Sequence, residues 1–113
     1  ILNGGRLVQA GTPEEIIMSP ADDYVEAFVK DVNRAKVLRA KTVMIKANEF
    51  NSNDLKLADV FKVDESSYIE QFLPKVLADR CTVMVVDKMG DTKGYITEKE
   101  LAISLSKDGY NQK

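Results

Sequence analysis

Histidine and tryptophan are absent from this chain of 113 residues, and cysteine occurs once, at Cys81. A single thiol allows neither an intrachain disulfide nor a thiolate zinc cluster, and without histidine there is no imidazole to bind metal or act as a base near neutral pH. Most zinc, Ser-His and Cys-His chemistry is thereby excluded. Cys81 stands just before the apolar run Thr82 to Val86 and has no partner to activate it, so it reads as a small buried filler. No apolar run approaches the roughly 18 residues that cross a bilayer, and no charged segment followed by an apolar stretch opens the chain, which therefore reads as cytosolic. A dominant charge of one sign is missing too. Sixteen Lys and Arg face eighteen Asp and Glu, for a net charge of −2, and 44% of the residues are apolar. The chain is then neither a disordered tail nor a basic arm for a nucleic-acid polymer. Its length suits one domain, or a small domain with appendages, and excludes a two-lobed enzyme. The chain starts at Ile1, and Ile-Leu-Asn-Gly-Gly reads as the middle of a strand, so a piece of something longer is expected.

Local patterns predict an α+β fold. Two short apolar runs flank Asn3-Gly4, a pair that tolerates the positive φ angles of a tight turn, which predicts a β-hairpin over residues 1 to 11. Thr12-Pro13-Glu14-Glu15 supplies an N-cap hydroxyl, a proline at the first helical position and a glutamate three residues after the cap, so a short helix starts there. After Ser19-Pro20, the positions Tyr24, Val25, Phe28, Val29 and Val32 form one apolar helical stripe. Residues 47 to 56 are rich in Asn, Asp and Ser and read as a loop. A β-α-β-β-α unit follows. Val60 to Val63 is a strand, and Asp64 to Ser67 a turn and helix cap. Tyr68, Ile69, Phe72, Leu73, Val76 and Leu77 line a helix kinked at Pro74. Thr82 to Val86 is a buried strand, Asp87 to Lys93 a turn, and Gly94 to Ile96 a strand; Thr97-Glu98-Lys99-Glu100 is a second capping box that opens a helix through about Ser106. Met18, Met44, Met84 and Met89 show no stripe and are assigned to packing.

Charge changes sign along the chain. Residues 14 to 31 carry six acids and one lysine, whereas residues 34 to 46 carry five bases and no acid. The bases Arg34, Lys36, Arg39, Lys41 and Lys46 are candidates for sensing ionic strength or an anionic membrane surface. The competing reading is a solvated face paired with the acidic neighbour, since no aromatics are interleaved with the bases.

Two motifs carry a family resemblance. Gly5, Leu7, Val8, Gln9, Gly11, Thr12, Pro13, Glu14, Glu15 and Ile16 match a hairpin near the end of the nucleotide-binding subunit of ABC transporters. Ser19, Pro20, Ala21, Asp22, Asp23, Tyr24, Val25 and Phe28 resemble the continuation found in the glycine betaine/proline (quaternary amine) branch. The phosphate-binding loop, signature loop, catalytic acids and switch histidine of that family do not occur in these residues, so no ATP hydrolysis by that mechanism is expected of the fragment. The unit from Val60 onward is similar to a CBS (cystathionine β-synthase) motif, half of a Bateman-type module. In nucleotide-binding members of that family, the motif here filled by Gly94, Tyr95, Ile96, Thr97 and Glu100 contacts ligand, with the hydroxyl near a phosphate and the carboxylate near a ribose. The resemblance thus admits an adenine nucleotide or a cyclic dinucleotide as ligand and requires no cofactor. Thr97 and Glu100 are equally accounted for as a helix cap without any ligand.

The expected organisation is a tail of a nucleotide-binding domain over 1–33, a basic connector and loop over 34–58, a CBS motif over 59–108 and a disordered tail over 109–113. The expected role is regulation of an osmolyte importer ATPase in response to ionic strength or adenine nucleotide. Its implied partners are the ABC ATPase core, a membrane permease subunit and a second copy of the chain meeting it through the CBS halves, which places it on the cytoplasmic side, peripheral to the membrane. A stand-alone nucleotide-sensing module is the alternative. A degenerate EF-hand is the third reading, but from Asp87 its third and sixth positions are Met89 and Thr92, and from Met89 its first and fifth are Met89 and Lys93, so neither register supplies the oxygen ligands.

Overall fold

A four-stranded sheet organises the molecule. The computed structural model describes residues 2–7, 9–30, 32–51 and 60–106. The central strands are β5 (Thr82–Val86) and β6 (Thr92–Ile96), an antiparallel hairpin. On one side β4 (Val60–Asp64) runs parallel to β5, with α5 (Ile69–Asp79) as the crossover that a parallel pair requires. On the other side β3 (Ile45–Lys46) pairs antiparallel with β6. Helix α6 (Glu98–Leu105) follows β6. Strand alternation sets the core: Val83, Val85 and Ile96 point to the helix side and are fully buried, while Thr82, Met84, Val86 and Tyr95 lie half-buried on the other face. Ile69, Phe72 and Val76 of α5, Leu101 of α6 and Cys81 complete that core.

The stripe on α5 is narrower than its periodicity suggests, since Leu77 is 62% exposed. The helix runs through Pro74, whose missing N–H takes one bond out of the ladder, and ends at Arg80 in the left-handed conformation (φ 52°), where the Arg80 N–H reaches the Val76 carbonyl at 2.7 Å. In the β5–β6 turn the Asp87 carboxylate accepts from the Met89 and Asp91 N–H groups at 2.9 and 3.0 Å, and Gly90 takes φ 86°. Met89, assigned to packing from sequence, sits at the tip and is 85% exposed. The EF-hand reading meets a strand, β5, where it needs a helix, and among the described residues no cluster of three or more acids or thiols is placed to hold a metal.

The N-terminal part is a hairpin of β1 (Leu2–Asn3) and β2 (Arg6–Leu7), then α1 (Pro13–Met18) and α2 (Asp23–Val29). The turn is Gly4-Gly5, with φ of 61° and 83°, rather than Asn3-Gly4, because Asn3 pairs with Arg6. Both central positions of such a turn need positive φ, which two glycines adopt without steric cost. The capping box forms as expected: the Glu15 N–H donates to the Thr12 hydroxyl at 3.1 Å and the Thr12 N–H to the Glu15 carboxylate at 2.9 Å. Asp22 caps α2 through the Val25 N–H at 2.9 Å. That helix stops at Val29, short of the Val32 that the stripe suggested.

Residues 34 to 46 depart most from expectation. They form two four-residue helices, α3 (Arg34–Val37) and α4 (Ala40–Val43), before β3. Leu38, Ala40 and Val43 are buried in the main core, and the backbone is fastened to the first residue of α5 and the loop before it by Ile69 N–H to Leu38 carbonyl (3.0 Å), Ala40 N–H to Ser67 carbonyl (2.8 Å) and Lys41 N–H to Glu65 carbonyl (3.0 Å). The bases dominate the sequence pattern here, yet the apolar residues between them supply the packing. A one-turn Ala47–Glu49 3-10 helix begins the expected loop, and residues 52–59 fall outside the described set, as do residues 107–113.

Leu38 is fully buried. Leu38→Ala is expected to destabilise the chain by about 2–5 kcal/mol and the exposed Leu77→Ala by under about 1 kcal/mol, a contrast that urea unfolding measures. Equal costs would mean that the 34–46 segment is not part of the core.

Candidate functional site

The five residues of the candidate nucleotide motif straddle the end of β6 and the start of α6. Gly94 is buried, and a β-carbon there would run into the Ile45 carbonyl and come within 2.6 Å of the Met44 sulfur. Its smallness therefore lets β3 and Met44 close against β6. Tyr95, on the opposite sheet face, stacks on Phe50 with ring centroids 4.5 Å apart at 26°. Ile96 is core. Thr97 and Glu100 are half-buried and bonded to each other: the Glu100 carboxylate accepts from the Thr97 N–H at 2.7 Å and from the Thr97 hydroxyl at 2.6 Å. Of the five, Thr97 and Glu100 alone offer polar side chains at a helix start, and each is the other's partner.

The five basic residues do not form one patch. Arg34 is half-buried and donates to the Ser104 carbonyl at 3.1 Å and the Ile17 carbonyl at 3.5 Å, with the Met18 sulfur at 3.9 Å. Arg39 lies 5.1 Å from the Tyr68 ring centroid and donates to the Tyr68 hydroxyl at 3.0 Å. That hydrogen bond is the main cause that holds the Arg39 guanidinium above its ordinary pKa, the charge of Glu14 adding a smaller push. Lys36 pairs with Glu70 at 3.1 Å across exposed surface. Lys41 and Lys46 are exposed. So Arg34 and Arg39 serve as internal fasteners, and Lys36, Lys41 and Lys46 face solvent. The acidic neighbour does meet this segment, though through Glu14, whose carboxylate accepts from the Arg39 N–H at 2.7 Å and from the Thr42 hydroxyl.

Two open grooves lie along this junction. The larger, about 580 Å³, runs between α1, α2 and α6 and is lined by Ile17, Met18, Glu26, Lys30, Arg34 and Ile103 among others. The smaller, about 330 Å³, lies between Pro13, Glu14, Lys36, Arg39 and Tyr68. Tyr68 was legible only as a member of the helical stripe and Phe50 not at all, because a partner for Arg39 or Tyr95 lies far off along the chain and leaves no spacing signal.

The βαββα sheet with its flanking helices is the CBS fold. It matches the CBS domain of a bacterial CNNM/CorC family Mg2+ transporter with a TM-score of 0.55 at 12% identity, over 85% of this chain and 92% of that one. A hemolysin-like CBS-domain protein of Oenococcus oeni matches with a TM-score of 0.50 at 16% identity, over 75% of this chain and 98% of that one. At such identities the likeness is one of fold. No family model matches the chain.

Sequence relatives narrow the class. The chain is 35% identical over 96 residues, 85% of its length, to the glycine betaine transport ATP-binding protein OpuAA of Bacillus subtilis. It is 49% identical over 51 residues, 45% of its length, to the glycine betaine/carnitine transport ATP-binding protein GbuA of Listeria monocytogenes. A third relative, the trimethylamine N-oxide transport system ATP-binding protein TmoW of Pelagibacter ubique, is 32% identical over 85% of this chain. The chain is homologous to the C-terminal, CBS-containing region of glycine betaine-type ABC transporter ATP-binding subunits. It spans 20% of the length of OpuAA, 13% of GbuA and 26% of TmoW.

Removing the Glu100 carboxylate deprives both the Thr97 N–H and the Thr97 hydroxyl of an acceptor. Glu100→Ala is expected to cost about 0.5–2 kcal/mol, as loss of a helix cap does, and thermal denaturation reads it. An unchanged melting temperature would show that the pair does no structural work and leave it free for a ligand.

Proposed function

We propose that this chain is a regulatory region of an osmolyte ABC importer ATPase subunit, adjusting ATP-driven uptake of a glycine betaine-like solute and carrying out no catalysis itself. The observation that carries this reading is the 35% identity to a glycine betaine transport ATP-binding protein over 96 residues, a span that includes residues of both the N-terminal helical pair and the CBS-fold unit. In this proposal residues 1–33 are the tail of the nucleotide-binding domain, 34–58 the connector, 59–108 the CBS motif and 109–113 a terminal tail. The ATPase core and a permease subunit are its partners, at the cytoplasmic side of the membrane.

Ionic strength is the input that the side chains favour. Lys36, Lys41 and Lys46 are exposed bases on the segment that joins the two parts, where the field of salt or of an anionic lipid surface acts directly. A nucleotide at Gly94, Tyr95, Ile96, Thr97 and Glu100 would have to displace the Thr97–Glu100 pairing. Neutralising Lys36, Lys41 and Lys46 together in a full-length subunit is expected to flatten the dependence of transport on salt while leaving ATP hydrolysis at fixed salt within about two-fold. An unaltered salt profile would refute the ionic reading, and a response to AMP, ATP or a cyclic dinucleotide abolished by Thr97→Val would replace it with the nucleotide one.

The same reading includes a second copy of the chain. The sheet face away from the helices presents Met84, Val86 and Tyr95, half-buried within one chain and apolar enough to pair with its like. Light scattering at micromolar concentration is expected to give twice the 12.6 kDa mass of the chain, and a monomer mass would overturn the pairing.

A further inference from the structure

The N-terminal helical pair and the CBS-fold unit have separate apolar interiors. Ile17 of α1 and Val25 of α2 are buried, yet neither is part of the apolar cluster that unites the sheet, α5, α6 and the 38–43 segment. Among the described residues, the charged side chains of Glu14 and Arg34 bridge the parts. Glu14 and Glu15 are neighbours in the first turn of α1, and Glu15 is occupied by the capping box. Glu14 turns outward and accepts from the Arg39 N–H at the start of α4 and from the Thr42 hydroxyl within it. Arg34 works from the other direction. Its guanidinium donates to the Ile17 carbonyl in the last turn of α1 and to the Ser104 carbonyl in the last turn of α6. Carbonyls in the last turn of a helix lack intrahelical donors and carry the negative end of its dipole, so one cation satisfies groups on both parts at once.

We infer that Glu14 and Arg34 form a two-point polar clasp that docks the α1–α2 pair on the CBS-fold unit and can open without unfolding the sheet. A continuous apolar interface would tie the two parts into one cooperative unit. Here an open groove of about 580 Å³ lies between α1, α2 and α6, with Arg34 and Ile103 in its wall. A few charge-assisted hydrogen bonds hold it instead, each of modest net strength. The clasp follows from the contacts alone and stands whether or not the transporter reading does.

Amide hydrogen exchange on the whole chain tests it. The Ile16, Ser19 and Glu26 amides, bonded within α1 and α2, report on the helical pair, and the Val83, Val85 and Ile96 amides report on the sheet. Arg34→Met is expected to speed exchange of the first group by roughly ten-fold or more, with the second group unchanged. Glu14→Ala would do the same, but it also removes an acid from the first turn of α1, so Thr42→Val supplies the control: it takes away one of Glu14's two donors at α4 without touching α1. Acceleration of the α1 and α2 amides in Thr42→Val and Arg34→Met, with the sheet amides steady, supports the clasp. Unchanged α1 and α2 amides in either variant, or equal acceleration in both groups, would overturn it.

Discussion

The close approach of β3 to β6 at Gly94 is the constraint on which the N-terminal side of the fold depends. Only a residue without a β-carbon leaves room there for the Ile45 carbonyl and the Met44 side chain. With that room, β3 adds a fourth strand to the sheet, and the chain just before it is drawn in: Val43, Ala40 and Leu38 enter the core in succession. Arg39 and Thr42, on the outer side of the same segment, are thereby presented to Glu14. A packing requirement in the sheet thus reaches the first helix of the chain through one short connection.

Apolar burial and polar fastening divide the work unequally. Burying a side chain such as Val83 or Ile96 contributes about 1.5–3 kcal/mol, whereas the ion pairs between Lys36 and Glu70, Lys75 and Asp79, and Arg80 and Glu98 all lie on exposed surface, where such pairs contribute about 1 kcal/mol or less. The sheet, α5 and α6 therefore carry most of the stability, and the N-terminal helices rest on it through weaker contacts.

The candidate ligand motif shows how one set of residues meets two demands. Gly94, Ile96, Thr97 and Glu100 are each explained by packing or capping, so their presence in the sequence does not by itself distinguish a binding site from a well-built strand-to-helix turn. The homology to glycine betaine-type transport ATP-binding proteins, which spans most of the chain, identifies the class more firmly than any one side chain does.

Local rules in the sequence determined much of this protein. The capping boxes at Thr12 and Thr97, the βαββα order and the strand at Thr82 to Val86 depend on neighbours within a few residues, and each was legible from local pattern. The tertiary structure alone decided what distant residues do. It set Asn3 in a strand instead of a turn, left Leu77 and Met89 in solvent, and divided a seemingly uniform basic stretch into fasteners and solvent-facing charges. The physical reason is that a helical or strand period says which residues share a face, while the surface that face meets, such as Glu14 against α4 or Arg34 between α1 and α6, is chosen by chain segments 25 and 70 residues away.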